Sequence, residues 1–561
     1  LSDRRALLLI VALTALAVGW LALFQAQTRP VTVADAPAGK VDCLSYTPRG
    51  MIPGPTAQVF PETIDADLAL LATETRCIRT YSSTQGMAEV PAIARRHGLT
   101  VMLGIWIGRD EAYNEQELAT GLAAANAHPD VVRAVVVGNE VLLRHEQDVA
   151  GLRRYLERAN AATDVPVTYA DVWEFWRRGA TLADAVDFIT IHILPYWENN
   201  PVGVEAALQH VKDVYAEMQA EFPAHRLVIG ETGWPTKGRA REAAYPSTVA
   251  AATFVRSFAG WAAEKGIDYN LIEAFDQPWK RGLEGTVGGY WGLFGVDGKA
   301  KFPLQGPVTE RDDIGSVMVI TLAFGAIVAV LAFVFLDLRR PLALGFMTSS
   351  GLALGASAAA FFDYVTHAAR TSMEWAQYVI AAGVCTALVS GLALRAANLI
   401  EQRATAVNPT PSVAALRMVF LFGLAYACLG LVLDGRYRDF PVALIVLPAL
   451  LLIALRDYQA ISLKLRPEER TLCGVIACCA AAGLGIEGLE NVRALVWNGA
   501  CLGLTLSLLA HHRAQPAEDE HRSKQTRPSG FEAVQHAPHQ PAHEPEPGKR
   551  FDTAPKGEER G

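Results

Sequence analysis

Two glutamates stand directly behind apolar, strand-like runs. Glu140 closes AVVVGNE (134–140), and Glu231 lies within LVIGETGWP (227–235). A carboxylate emerging from the end of a buried strand can be aimed at a shared cavity. Two of them suit glycoside hydrolysis, in which one carboxyl protonates the leaving oxygen and, in a retaining enzyme, the other attacks the anomeric carbon. The competing reading makes each a rim residue in a local salt bridge, which is common for a single strand-end carboxylate. Two together, with Asn, Trp and Tyr at neighbouring strand ends, favour the catalytic pair.

The elements that must position them recur through the first half of the chain. Eight β-rich runs alternate with longer amphipathic stretches: VDCLSY (41–46), CIRTYS (77–82), TVMLGIW (100–106), AVVVGNE, PVTYAD (166–171), FITIHILPY (188–196), LVIGETGWP and NLIEAFDQPW (270–279). Eight parallel strands with intervening helices close most simply into an α/β fold, a (β/α)8 TIM barrel of about 250 residues with its active site at the C-terminal strand ends. In the stretch 62–75, Ile64, Leu68 and Leu71 recur at near-helical spacing. That pattern puts Asp65-x-Asp67 on the polar face of a helix, and no further ligands accompany it as a metal site should require.

Seven of the eleven tryptophans, Trp106, Trp173, Trp176, Trp197, Trp234, Trp279 and Trp291, fall at or just past strand ends. Aromatic faces stack on sugar rings and exclude water, so most are expected to be sugar platforms. Trp173 and Trp197 follow the fifth and sixth strands, where an acceptor would lie. Cys43 and Cys77 fall near the starts of adjacent strands, and can either bridge in an oxidising compartment or remain buried thiols.

With 561 residues and a formal charge of -8, the chain has no basic excess to suggest a nucleic-acid partner. Its 51% hydrophobic content is concentrated in blocks. Leu7 to Phe24 reads as an uncleaved anchor, because the small-x-small pattern Ala34 to Ala36 lies too far beyond it for a signal peptidase site. Further blocks at about 315–336, 341–362, 376–394, 418–433, 441–455, 471–489 and 494–510 bring the expected spans to eight. With the N-terminus inside, Arg339, Arg340, Arg403, Arg456 and Lys464 fall in cytoplasmic loops, as the positive-inside rule requires, while Arg436 falls outside. The resulting organisation is an anchor and linker (1–39), an extracytoplasmic barrel (40–305), a membrane domain of about seven helices (306–510) and a disordered cytoplasmic tail (511–561). The tail's His536, His539 and His543 read as solvated rather than metal-ligating.

The runs IRTYS (78–82), VGNE (137–140), LPYW (194–197), IGETGWP (229–235), EAFDQPWK (273–280) and WGLF (291–294) together resemble glycoside hydrolase family 17, over about residues 40–303. The resemblance implies action on β-1,3-linked glucans, with Glu140 as general acid/base and Glu231 as nucleophile. It also implies a donor site lined by Tyr46, Arg79, Tyr81, Asn139, Tyr196, Trp234, Glu273 and Lys280. Glu273 and Lys280 can equally form a structural ion pair. Asp276 and Trp279 in EAFDQPWK, and Tyr169 in PVTYAD, join Trp173 and Trp197 as candidate substrate contacts. No metal or cofactor is expected.

Within that family the chain is similar to a bacterial membrane-bound branch that makes periplasmic or cyclic β-glucans. TYADVWEFW (168–176) and HILPYWENN (192–200) depart from the plant and fungal endoglucanases of the family. The expected activity is a retaining β-1,3-glucan transglucosylase. An endo-β-1,3-glucanase and a non-catalytic glucan-binding subunit are the alternatives, and the presence of both glutamates argues against the last. The longest inside loop, about Arg395 to Arg417, is far below domain size, so a membrane glucan synthase is implied as partner, alongside the lipid bilayer and the glucan itself.

Overall fold

The computed structural model describes residues 1–54, 57–402, 411–434, 438–458, 465–489 and 491–525. Arg403, Arg436, Lys464 and the three tail histidines lie outside them. Eight parallel strands close into a barrel in chain order: β1 (Val41–Ser45), β2 (Thr75–Arg79), β3 (Thr100–Ile105), β4 (Val132–Asn139), β5 (Val167–Val172), β6 (Ile189–His192), β7 (Leu227–Thr232) and β8 (Tyr269–Leu271). Closure is made by Leu44 of β1 against Leu271 of β8. Alternation along each strand separates two cores. Cys43, Cys77, Met102, Ala134, Val136, Ala170 and Val228 form a cluster of their own. Their neighbours Leu44, Ile78, Leu103, Val135 and Ile229 join the larger core beneath the helices.

Cys43 and Cys77 are opposite each other in the parallel register and form a disulfide, with their Cα atoms 4.4 Å apart. β8 is shorter than the run 270–279 expected for it. It ends at Leu271, and the remainder is loop. Asp67 departs from the expected polar face: it is fully buried and accepts from the Tyr46 hydroxyl (3.1 Å) and the Arg49 amide (3.0 Å). The Arg49 guanidinium also pairs with it, and the helix Pro61–Leu71 lies against the barrel on that side, so a carboxylate with three donors replaces an apolar contact. Asp65 does sit outside, paired with Arg96 and His97.

Among the described residues, seven helices are long and apolar enough to cross a membrane: Asp3–Gln27, Ile314–Val334, Pro341–Ala368, Ser372–Ile400, Ser412–Leu433, Pro467–Glu487 and the Val492–Ala510 part of a helix that continues to Gln525. That last helix thus runs past residue 510, where the sequence reading starts the tail. The eighth expected span is the 13-residue helix Val442–Ala454, with Pro448 inside it. At about 1.5 Å per residue it covers roughly 20 Å, short of a hydrocarbon core of about 30 Å.

Polar contacts sort the helix ends into two groups. Arg5 meets Asp457 (3.7 Å), Arg340 meets Asp3 (3.2 Å), and the Arg340 amide donates to Glu401 (3.0 Å). At the other end Arg311 meets Asp363 (3.3 Å), Arg438 meets Glu487 (2.9 Å) and Arg493 meets Asp439 (3.7 Å). Asp439 and Asp457, which flank the short helix, belong to opposite groups, so that segment traverses the bundle.

Candidate active site

The C-terminal strand ends bring the two glutamates together around a histidine. The β4 run is apolar up to Val137, then turns through Gly138 at φ +85° and places Glu140 at φ +53°. A left-handed conformation at a non-glycine residue costs about 1–2 kcal/mol. It is held here by the Glu140 amide donating to the Ala170 carbonyl (2.8 Å) and by the Arg144 amide donating to the Glu140 carbonyl (2.9 Å). The twist turns the Glu140 side chain toward β6, where its Oε1 lies 3.0 Å from Nδ1 of His192. Nε2 of the same ring is 3.8 Å from Glu231 Oε1.

Glu231 is 4% exposed and accepts from Arg79 Nη1 (3.0 Å) and the Tyr81 hydroxyl (2.9 Å). Burial pushes its carboxyl up, but His192, Arg79, Lys280 and the Tyr81 hydroxyl pull it further down, and its pKa stands below its ordinary 4.5. Arg79, fully buried, also donates to the Gly230 carbonyl (2.9 Å) and to Asn139 Oδ1 (2.5 Å). One guanidinium therefore ties β2, β4 and β7 together. Ligand atoms of Glu140, His192 and Glu231 lie within 4.8 Å of one another, a spacing that could hold a metal ion. The Arg79 guanidinium and the Tyr81 hydroxyl already engage Glu231 Oε1, so the donor set fits a charge network better.

Lys280, largely enclosed, donates to the buried Glu273 (2.9 Å). Burial lowers the Lys280 ammonium, but Glu273, Glu284 and Glu231 outweigh it and its pKa is raised. Glu284 joins this cluster from an irregular loop, and burial beside Glu273, Glu140 and Glu231 brings it to about 7 despite Lys280.

Several expected contacts are engaged by neighbours within the protein. Tyr46 is buried on Asp67. Tyr169, also buried, donates to Asp171 and accepts from the Leu142 amide (3.0 Å), so it braces the loop after β4 rather than facing the cleft. Asp276 is held by Lys301 (2.6 Å) and the Gly292 amide (2.9 Å). Of the seven strand-end tryptophans, Trp176, Trp234 and Trp291 are at most 4% exposed. Trp176 donates to the Thr190 carbonyl (2.7 Å) and Trp234 to the Tyr245 carbonyl (3.0 Å). These enclosed rings fill the space between strand ends and helices, where a large apolar body with one donor packs well.

Trp106, Trp173, Trp197 and Trp279 keep part of their surface. Trp197 stacks on Trp291 (6.3 Å, 22°) and stands edge-on to Tyr196 (5.2 Å). Trp173 donates to Glu198 (3.2 Å), and Trp279 to Gln277 (2.9 Å).

Sequence reasoning missed His192, Asp171 and Glu284. His192 ends β6 just as Glu140 and Glu231 end theirs, so the strand-end argument could have found it. Asp171 sits in the PVTYAD run, and burial raises its carboxyl to about 6. Glu284 carries no signal, because its loop has no periodicity.

The profile of the BtgE/BtgC glycoside hydrolase domain matches residues 43–292, the span of the barrel strands. A glucan 1,3-beta-glucosidase of Schizosaccharomyces pombe is 32% identical over 261 residues, covering 43% of this chain and 79% of the relative. A glucan 1,3-beta-glucosidase of Candida albicans is 26% identical over 270 residues, covering 43% and 86%. Among solved structures, a glycoside hydrolase family 17 beta-1,3-glucanosyltransferase from Rhizomucor miehei covers 47% of this chain and 97% of its own, at 22% identity and a TM-score of 0.42. Since the barrel matches a third-identical relative over most of that protein's length, the chain belongs to glycoside hydrolase family 17 through a barrel of the BtgE/BtgC type.

Proposed function

We propose that the barrel is a retaining β-1,3-glucan transglucosylase in which Glu231 is the nucleophile and Glu140 the general acid/base. The observation that carries this reading is the approach of the two carboxylates, whose oxygens lie within 4.8 Å. Carboxyl groups about 5–5.5 Å apart belong to retaining enzymes, whereas inverting pairs stand about 6.5–9.5 Å apart to admit a water. Glu231, kept ionised by its cationic surroundings, attacks the anomeric carbon. Glu140, reached by bulk solvent more than Glu231 is, gives its proton to the departing oxygen and then takes one from the incoming hydroxyl. His192 orients it. Asn139 spends its carbonyl oxygen on Arg79, which leaves its amide nitrogen to meet a sugar hydroxyl.

Transfer wins over hydrolysis when the acceptor side binds sugar and sheds water. The Trp197 ring, backed by Trp291, is the platform that supports this preference, and Trp173 is a second. The barrel disulfide suits an oxidising compartment, so the barrel belongs outside the cytoplasm of a bacterial inner membrane, acting on glucan delivered by a membrane synthase.

The test is incubation of the full chain, purified in detergent, with a laminari-oligosaccharide at millimolar concentration. Species longer than the donor, linked with retained β configuration by early-time NMR, are expected. Shortened products alone would leave an endo-β-1,3-glucanase, inverted products would remove the nucleophile assignment, and no turnover would favour a glucan-binding subunit.

A further inference from the structure

The loops that follow β7 and β8 carry the catalytic face of the barrel, and they rest on the helical bundle. Arg239 of the β7 loop donates through Nε to the Ala368 carbonyl (3.1 Å) and lies 3.4 Å from Glu374. Arg281 of the β8 loop donates through Nη2 to the Ala369 carbonyl. Ala368 ends the helix Pro341–Ala368. The last carbonyls of a helix have no partner within it and carry the negative end of its dipole, so two guanidinium groups are well matched to them. Around this point the Tyr290 ring stands edge-on to His367 (6.2 Å), and the Tyr245 hydroxyl donates to Asn491.

The same two loops hold the candidate site. Arg281 follows Lys280 in the tight turn Pro278–Gly282, and Lys280 is the cation on Glu273. The Arg239 carbonyl accepts from the Tyr196 hydroxyl (2.6 Å), and its amide donates to Thr286 Oγ1 (2.9 Å) in the segment just beyond that turn. A displaced helix end would therefore move Lys280 from one side and Tyr196 from the other.

We propose that the C-terminus of helix Pro341–Ala368, gripped by Arg239 and Arg281, is a positioning element of the glucan site, so that the membrane bundle completes the active site and does more than tether it. Arg239 and Arg281 act through Lys280 and Tyr196 and touch no substrate. The proposal rests on the glucan-active reading of the barrel, though not on the choice between transfer and hydrolysis. It gives the additional helices a role that one anchor span would not supply.

The test uses the full chain in detergent, as wild type, Arg281→Ala, Arg239→Ala and Arg281→Lys. Donor consumption and hydrogen exchange over residues 278–289 are both measured. A misplacement of the order of an ångström costs up to about a hundredfold, so kcat is expected to fall about tenfold to a hundredfold in both alanine variants, with KM within about twofold. Arg281→Lys, which keeps a cationic donor for the Ala369 carbonyl, is expected to recover most of the loss, and exchange over 278–289 to quicken only in the alanine variants.

Unchanged exchange, or unchanged kcat beside quickened exchange, overturns the proposal. Should Arg281→Ala fail to fold, Arg239→Ala decides by the same readings. If the wild type turns over no glucan, the functional reading fails, and exchange alone judges the seam.

Discussion

Burial drives the Glu231 carboxyl up while His192, Arg79, Lys280 and Tyr81 drive it down, and the second group prevails. A carboxyl whose folded pKa is depressed contributes stability that is present above its unfolded value and lost as the pH falls through the lower folded value. The proposed nucleophile thus stays ionised below the ordinary 4.5. His192→Gln keeps an amide near Glu140 but removes the ring facing Glu231. The acid limb of kcat/KM should then move to higher pH while KM changes little, and an unmoved limb in a pH-rate profile would show that the ring is packing only. Glu231→Gln should prevent trapping of any glycosyl-enzyme, read by intact-protein mass after a 2-fluoro donor. Glu140→Gln should still trap when the leaving group is activated and needs no acid, because proton donation is then dispensable. His192 shows why residue types were only partly legible: its strand-end position is visible in the run FITIHILPY, but its place between two carboxylates is a consequence of barrel closure.

At the scale of elements, the strand-end tryptophans divide by what lies behind them. Trp176 is enclosed between Tyr169 (5.4 Å) and Phe222 (6.4 Å), whereas Trp197 lies flat on Trp291 with part of its surface open. Trp176→Ala should therefore cost about 3–5 kcal/mol of stability, as large-to-small changes in a packed core do, and lower the thermal midpoint. Trp197→Ala should leave the midpoint nearly unchanged and shift products toward hydrolysis more than it slows donor consumption. Equal effects of the two on the product ratio would contradict the assignment of Trp197 to the acceptor side. The buried Glu117 is another element-scale device. It accepts from the Ser82 hydroxyl (2.5 Å) and from the amides of Ser83 (2.9 Å), Thr84 (3.1 Å) and Trp106 (3.0 Å), and so binds the loops after β2 and β3. With the Thr84 hydroxyl, five donors offset the desolvation of one carboxylate. Nothing in the helical pattern of 111–127 distinguishes it from a solvated glutamate.

For the whole molecule, the two groups of helix-end contacts make a topological statement. Arg5, Arg340, Glu401 and Asp457 gather at one end of the bundle, while the pairs Arg311–Asp363, Arg438–Glu487 and Arg493–Asp439 gather at the other, where Tyr245 of the barrel meets Asn491. Both ends carry arginines, and we propose on the loop charges around Arg339, Arg340 and Arg456 that the first group lies inside and the barrel outside. Reporter fusions after Arg339 and Asp457 should behave as cytoplasmic, and those after Gly203 and Leu489 as periplasmic. A periplasmic signal at Asp457 would mean that the short helix Val442–Ala454 does not cross.

The barrel was legible in the sequence because period-two apolar runs and near-helical spacing are local properties, and eight alternations leave little choice but closure. Glu140 and Glu231 were legible for the same reason, since each follows an apolar run directly. Apolar length likewise announced the helices that are long and apolar enough to cross a membrane. What only the tertiary structure decided depends on contacts between residues far apart in the chain. The direction of Asp67, the burial of Trp176, Trp234 and Trp291, the Cys43–Cys77 bridge and the insertion of His192 between the glutamates all follow from which strand lies beside which. The grip of Arg239 and Arg281 on a helix end more than a hundred and twenty residues away for Arg239 is of the same kind, because hydropathy marks a span but carries no information about the surface its terminus will meet.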